Sequence, residues 1–214
     1  MKREKVINNL HIIEHPLLQA KLTVLRDKRT NRQEFRQTLS EVAMLMTYDI
    51  TSNIPVSEIE VETPLEMTHG FKLNKDVTLV PILRAGLGMI DGILELLPDA
   101  RVGHIGVYRD KKTLLPVEYY LKLPDNVNET FVILVDPMLA TGGSALAAIE
   151  ILKKRGIEEL NFLCLVAAPE GVKAVHDRFP DVKIFTAALD RQLNDHGYIL
   201  PGLGDAGDRL YGTE

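Results

Sequence analysis

Two rhythms of apolar residues alternate along this chain. Val77-Thr78-Leu79-Val80-Pro81-Ile82-Leu83, Phe131 to Val135, Leu160 to Ala168 and Val182 to Leu189 are near-continuous apolar runs rich in Val, Ile and Leu. Such runs suit strands buried on both faces of a parallel sheet. Between them the spacing changes to that of helices. Phe35, Leu39, Val42, Leu45 and Met46 form a helical stripe within Asn31–Asp49, and Pro16–Leu25 precedes it as a shorter helix. Helices are also predicted up to Leu97, from Ala145 to Lys154, and over Pro169–Arg178. Lys153-Lys154-Arg155-Gly156 is a C-terminal helix signal, positive residues followed by glycine. Arg101 to Val107 reads as one further strand, and Val6 to Ile13 as a short strand or extended arm. Ser57 to Phe71 is different: Ile59-Glu60-Val61-Glu62-Thr63 alternates, which predicts half-exposed antiparallel strands, a small β-hairpin arm. Repeated strand–helix units predict an α/β fold, with a mostly parallel central sheet flanked by helices.

In open sheets of this kind ligands bind beyond the carboxyl ends of the strands. The loop after Phe131–Val135 is therefore the first place to look for chemistry. It runs Asp136-Pro137-Met138-Leu139-Ala140-Thr141-Gly142-Gly143-Ser144 and opens a helix. Two glycines allow a tight turn, and free N–H groups at a helix start favour an anion, above all a phosphate. Asp136 would repel a phosphate, so it suits a hydroxyl donor. Phosphate at one end and hydroxyls at the other describe a ribose 5-phosphate; a plain βα turn with a Ser/Thr cap is the simpler alternative. The loop after Leu83 carries Arg84 with Gly86 and Gly88, and a guanidinium beside backbone amides suits a diphosphate. A surface ion pair is the plainer use of Arg84.

Other motifs are excluded or left open. No G-x-x-x-x-G-K-[ST] occurs. Gly202, Gly204 and Gly207 spell G-x-G-x-x-G, but too close to the C-terminus for the helix and strand that a dinucleotide site needs. His11-Ile12-Ile13-Glu14-His15 spells a zinc-peptidase motif, yet Pro16 biases His15 away from helical angles, so no metal site is expected there. Arg26, Lys28, Arg29, Arg32 and Arg36 form a basic cluster that suits a solvated face, a phosphate-bearing effector or a subunit contact.

Composition narrows the class. The 214 residues, 45% hydrophobic and 26% charged, suit one domain over residues 1–214. A net charge of −5 gives no general attraction to nucleic acid or anionic membrane. No signal peptide or membrane span is expected. The single cysteine, Cys164, sits in an apolar run and reads as a buried, inert thiol, which suits a reducing cytoplasm.

The Val135-to-Ser144 stretch resembles the phosphoribosyl-pyrophosphate (PRPP) loop of the type I phosphoribosyltransferases. Many of that family carry two consecutive acidic residues here; Asp136-Pro137 resembles its uracil-specific members instead. The resemblance implies transfer of the phosphoribosyl group of PRPP to uracil, giving UMP and pyrophosphate. It implies PRPP contacts from Arg84, Arg109, Asp136, Pro137, Met138, Leu139, Ala140, Thr141, Gly142, Gly143, Ser144 and Asp205. Asp136, Arg84 and Arg109 would act by electrostatics and positioning, with no covalent nucleophile. Asp110 to Pro116 would fold over the ligand. The loop at Arg84 often contains a non-proline cis peptide in this family. The C-terminal stretch Tyr198–Arg209, rich in glycine and unsuited to regular structure, resembles the family's base-binding hood. By that match Ile199, Gly204, Asp205 and Ala206 meet uracil, the residues other than Asp205 largely through backbone groups. Mg²⁺ would be bound through PRPP near Asp205, with no side-chain cage. The resemblance also suggests a homodimer or higher homo-oligomer and, for some members, activation by GTP. The alternatives are a phosphoribosyltransferase for another base and a non-catalytic nucleotide-sensing regulator on the same fold.

Overall fold

The computed structural model describes residues 9–109 and 116–213, the side chains of Arg109 and Pro116 excepted. The strands are β1 Leu10–Ile12, β2 Val56–Glu62, β3 Met67–Leu73, β4 Val77–Leu83, β5 Arg101–Val102, β6 His104–Arg109 and β7 Pro116–Lys122. They continue with β8 Phe131–Val135, β9 Met138–Leu139, β10 Leu160–Ala167, β11 Lys183–Leu189, β12 Gln192–Leu193 and β13 Ile199–Leu200. The helices are α1 Pro16–Arg26, α2 Arg32–Ile50, α3 Leu87–Leu96, α4 Gly143–Lys154, α5 Pro169–Arg178 and α6 Ala206–Tyr211.

The main sheet runs β1-β11-β10-β8-β4-β6-β7, with β5 beside β4 and β9 beside β10. All pairings are parallel except β6 with β7. This is the mostly parallel, helix-flanked sheet that the apolar runs predict. The side-chain period of two divides β8 between both faces. Ile133 and Val135 pack into the cluster with α1, α2 and α3, through Leu18, Phe35, Leu39, Met89 and Ile93. Val132 and Leu134 pack into the other, with Ala148, Ile149 and Leu152 of α4 and Val172 and Val175 of α5. Burying both faces of one strand fixes its register, because a slip of one residue would exchange the two sets.

Three local expectations need correction. The strand expected over Arg101–Val107 is two strands, β5 and β6, separated at Gly103. Strand β4 pairs with β5 at Thr78 and Leu79, and with β6 at Ile82 and Leu83. Pro81 lies between these two pairings and has no N–H to donate, so the ladder changes partner where a bond would be missing. The hairpin β2–β3 is not half-exposed: almost every residue in it is exposed, with Leu65 at 95% and Phe71 at 73% of their full surface. The C-terminal stretch is not wholly irregular, since it contains β13 and α6. Asp205 caps α6 by accepting from the Asp208 N–H at 3.0 Å, and Gly212, at φ +67°, ends it. Of the N-terminal arm, Leu10–Ile12 forms β1 beside β11, and residues 1–8 lie outside the described chain.

Candidate active site

The strand order reverses at β4. From β4 the chain moves outward to β6 and β7, then returns to the other side as β8. A crevice at the carboxyl ends of such strands is the expected ligand position. Pro81 of β4 and Val135 of β8 are directly paired, so the loops that follow them start side by side. A Cβ on Gly86 would lie 2.4 Å from the Val135 carbonyl oxygen; only glycine permits this approach of the two loops.

The loop after β8 is held by the sheet. Asp136 donates its N–H to Leu163 O at 3.1 Å. Pro137 O accepts from Leu165 N (3.0 Å) and Val166 N (3.1 Å), and Met138–Leu139 continues the sheet as β9 beside β10. Pro137 and Leu139 are buried, and Met138 is half-buried. These residues therefore shape the loop from below. Thr141, Gly143 and Ser144 are exposed at its tip. Gly142 has φ +83°, the left-handed region, and serves as the N-cap of α4. Ala140, Thr141, Gly142, Ser144 and Ala145 donate their N–H groups to no protein acceptor among the described residues. Gly143 N makes only a long 3.4 Å approach to its neighbour's hydroxyl, Thr141 Oγ1. Successive N–H groups around a left-handed residue at a helix N-terminus form an anion-binding nest.

Asp136 sits at the other end of this loop, with little surface exposed. Burial pushes its carboxyl up to about 7; the Met138 N–H opposes the rise, and the Asp205 carboxylate adds to it. The Asp205 carboxylate is thus near enough to act on Asp136, in keeping with the approach of the C-terminal segment to the loop at Arg84, where Tyr211 Oη donates to Arg84 O at 3.1 Å. Beneath them, burial raises the Cys164 thiol to about 12, against a hydrogen bond with Thr186, and the Asp136 charge raises it further. Cys164 is a buried thiol with no nucleophilic character.

Arg84 is exposed in the loop between β4 and α3, and the Leu83–Arg84 peptide is cis. The N–H groups of Arg84 and Ala85 have no protein acceptor among the described residues, whereas those of Gly86, Leu87 and Gly88 close turns onto Ile82, Arg84 and Ala85. Arg109 ends β6, next but one in the sheet to β8. Its side chain lies outside the described residues, and so does the lid expected over Asp110 to Pro116, except for the Pro116 backbone, which begins β7.

The hood closes the crevice from the third side. A Cβ on Gly207 would lie 3.9 Å from Ala85 Cβ and 3.2 Å from Asp205 Oδ1. A Cβ on Gly197, in the turn between β12 and β13, would lie 3.5 Å from Thr141 Cγ2. The hood thus touches both other loops. Ile199 and Ala206 are buried; Gly204 and Asp205 are exposed. Gly204 has φ +83°, and its N–H and C=O, with the Ala206 N–H, have no protein partner among the described residues.

The hood is held by side chains distant from it in sequence. Arg26 of α1 donates to Asp190 through both terminal nitrogens, at 2.8 and 2.6 Å, and to Gly202 O at 2.8 Å. Asp190 is buried and also accepts from Gly202 N at 2.9 Å. Arg209 donates to Leu203 O at 2.9 Å and to Asp27 O at 2.8 Å, with its guanidinium 4.2 Å over the Phe35 ring. Arg36 donates to Leu210 O at 2.8 Å. Two members of the basic cluster, Arg26 and Arg36, are therefore struts of the hood. Arg29 pairs instead with Asp27, whose carboxyl that pairing holds down at about 2.

The H-x-x-E-H spelling dissolves in the fold. His15 caps α1 by accepting from Leu17 N at 3.2 Å, and His11 lies on β1 at 2.8 Å from Asp49. Among the described residues no group of three or more His, Cys, Asp or Glu could hold a metal ion. The acidic pair Asp136 and Asp205 can offer a divalent cation at most part of its shell. That donor set fits a cation whose other ligands come from a bound diphosphate.

Known proteins share this architecture. A sequence model of the family described as uracil phosphoribosyltransferase matches residues 12–213. The uracil phosphoribosyltransferase of Dictyoglomus thermophilum is 59% identical over 204 residues, covering 95% of this chain and 99% of that protein. The enzyme of the same name from Geobacillus kaustophilus is 58% identical over 209 residues, covering 97% and 100%. A solved protein of Aquifex aeolicus superposes with a TM-score of 0.90 at 38% identity, covering 96% of this chain and 99% of its own.

Proposed function

The chain belongs to the uracil phosphoribosyltransferase family, and from that premise we propose how its crevice joins uracil to the phosphoribosyl group of PRPP. UMP and pyrophosphate are the products. The N1–C1 bond forms as the bond from C1 to the pyrophosphate oxygen breaks, the electron pair of that bond leaves with pyrophosphate, and uracil gives up its N1 proton to solvent. Positive charge develops on the ribose as the leaving group departs, so positioning and electrostatics are the protein's task.

One observation carries the reading. Three loops with complementary chemistry converge on one crevice. The N–H row of Ala140–Ala145, without protein acceptors among the described residues save for the long approach of Gly143 to Thr141 Oγ1, supports a 5′-phosphate site, with the Thr141 and Ser144 hydroxyls beside it. Arg84, with the free N–H groups of its loop, would hold the pyrophosphate, joined by Arg109 from the end of β6. Asp136 would accept from a ribose hydroxyl and oppose the developing charge. Gly204 and Ala206 present a donor, an acceptor and a donor to a flat base, and Ile199 walls it. A base with the wrong edge would leave those groups unpaired, which costs far more than a lost apolar contact. Asp205 would meet both the base side and Mg²⁺ held through PRPP; the cation, when bound, neutralises charge on the leaving group.

The reading extends to assembly and setting. Residues 1–214 act as one catalytic domain in the cytoplasm. The hairpin β2–β3 exposes Val56, Leu65, Met67 and Phe71, and a two-stranded hairpin is marginal alone in water, which supports a homodimer in which a second copy covers it. A GTP effector would find Arg26 and Arg36 engaged in bracing the hood, but Lys28, Arg29 and Arg32 exposed, Arg29 paired with Asp27. Activity with and without GTP tests this, and no change at any concentration removes the effector.

Formation of UMP from uracil, PRPP and Mg²⁺ tests the whole. A chain that binds PRPP but releases no pyrophosphate in the presence of uracil would be the non-catalytic regulator, a reading the family and its named relatives do not favour.

A further inference from the structure

Tyr211 ends α6, at the edge of the hood, and none of the roles assigned above uses it. Its Oη donates to Arg84 O at 3.1 Å, across the crevice wall. The Arg84 guanidinium lies 5.6 Å from the centre of the same ring, within cation–π range. The two elements are also pressed together nearby. A Cβ on Gly88 would lie 2.6 Å from Leu210 Cδ1, and Gly207 stands against Ala85. The phenol remains a donor at neutral pH, because burial raises its pKa, partly offset by Arg84 and Arg36.

We propose that Tyr211 is a positioning residue for the pyrophosphate half of the site, holding the backbone and guanidinium of Arg84 in place from the hood. The proposal rests on Arg84 being a pyrophosphate ligand. An exposed arginine loses much rotamer freedom when it binds. A ring beneath the guanidinium and a bond to the same residue's carbonyl remove part of that freedom beforehand. Tyr211 also gives the hood a direct physical link to the loop that holds the leaving group.

The test compares Tyr211→Phe, Tyr211→Leu and Arg84→Gln in the full chain. The readouts are the inhibition constant for pyrophosphate, the Michaelis constants for PRPP and uracil, and the melting temperature. Tyr211→Phe removes the hydrogen bond and keeps the ring, and is expected to weaken pyrophosphate about fivefold. Tyr211→Leu removes both and is expected to weaken it further. The Michaelis constant for uracil stays within about twofold in each, since Gly204 and Ala206 are untouched. A merely structural tyrosine would loosen α6 and weaken uracil equally, and that result overturns the proposal. Unchanged pyrophosphate inhibition in both Tyr211 variants, with a loss in Arg84→Gln, overturns the proposal and leaves Arg84 as a ligand. No loss in Arg84→Gln overturns the Arg84 assignment and the proposal with it.

Discussion

Residues 136–145 and residues 199–211 meet at one crevice, but their shapes come from different distances along the chain. The first loop is built locally. Its strand, its left-handed Gly142 and its helix are consecutive, and its anchors are backbone bonds to the adjacent strand β10. The second is braced from the far end of the chain. Arg26 and Arg36 reach Gly202 O and Leu210 O across 176 and 174 residues of sequence, and Arg209 reaches back to Asp27 across 182. A phosphate needs little more than N–H groups and a helix end, which any βα turn can supply. A base needs particular donors and acceptors held in irregular backbone, and irregular buried backbone needs outside partners. The two regions should therefore fail differently when disturbed.

The largest effect is expected at the junction of the two, Asp136. Asp136→Asn removes the carboxylate proposed to oppose developing charge and should lower kcat by about 10²–10³. Wild-type-like kinetics would refute its role. The same change should stabilise the free protein. The folded carboxyl titrates at about 7, the unfolded one at about 4. The unfolded chain thus ionises first, and wild-type stability falls as pH rises between these values, then levels off. Asp136→Asn escapes this loss, so at pH 8 it should be more stable by about 4 kcal/mol, an advantage that vanishes towards pH 4. Thermal melts across pH check it. The wild-type kcat/KM for PRPP should correspondingly fall below about pH 7, approaching tenfold per unit, because the protonated acid carries no charge.

Arg26→Met tests the hood's long-range bracing. It strands the buried Asp190 carboxylate and should cost about 2–4 kcal/mol. Uracil binding should suffer far more than inorganic phosphate binding, measured by calorimetry. Equal losses for the two ligands would mean that the regions are not independent. Gly142→Ala strikes the local loop instead. At φ +83° a side chain is strained, and a cost of about 1–2 kcal/mol is expected, with PRPP weakened and uracil unaffected. The smallest effect is expected for Thr141→Ala, about a fivefold rise in the Michaelis constant for PRPP from the loss of one hydroxyl contact. An unchanged value would argue against a phosphate contact there.

The same contrast decided what could be read in the sequence. The β8 run, the following glycines and the helix stripe are local patterns, and they predict both the sheet and its loop. The cap signals of α6 were also present, Asp205 before it and Gly212 after it, but the density of glycine and proline around them hid the helix. The struts were not legible. Nothing local marks Arg26 as the partner of Asp190, and in a charged stretch it reads as a solvated face. Tyr211 escaped for the same reason, since its partner Arg84 lies 127 residues away. The hairpin misled in the opposite direction. Its alternation does describe an apolar and a polar face, but the described chain supplies nothing to cover the apolar one.

The most direct test is a base panel. The full chain is incubated with PRPP, Mg²⁺ and, in separate reactions, uracil, cytosine, adenine, hypoxanthine and xanthine, and nucleotide and pyrophosphate are quantified together. UMP and pyrophosphate in equal amounts from uracil, with little from the other bases, is the predicted result. A purine nucleotide as the main product, or no nucleotide from uracil, would contradict the account.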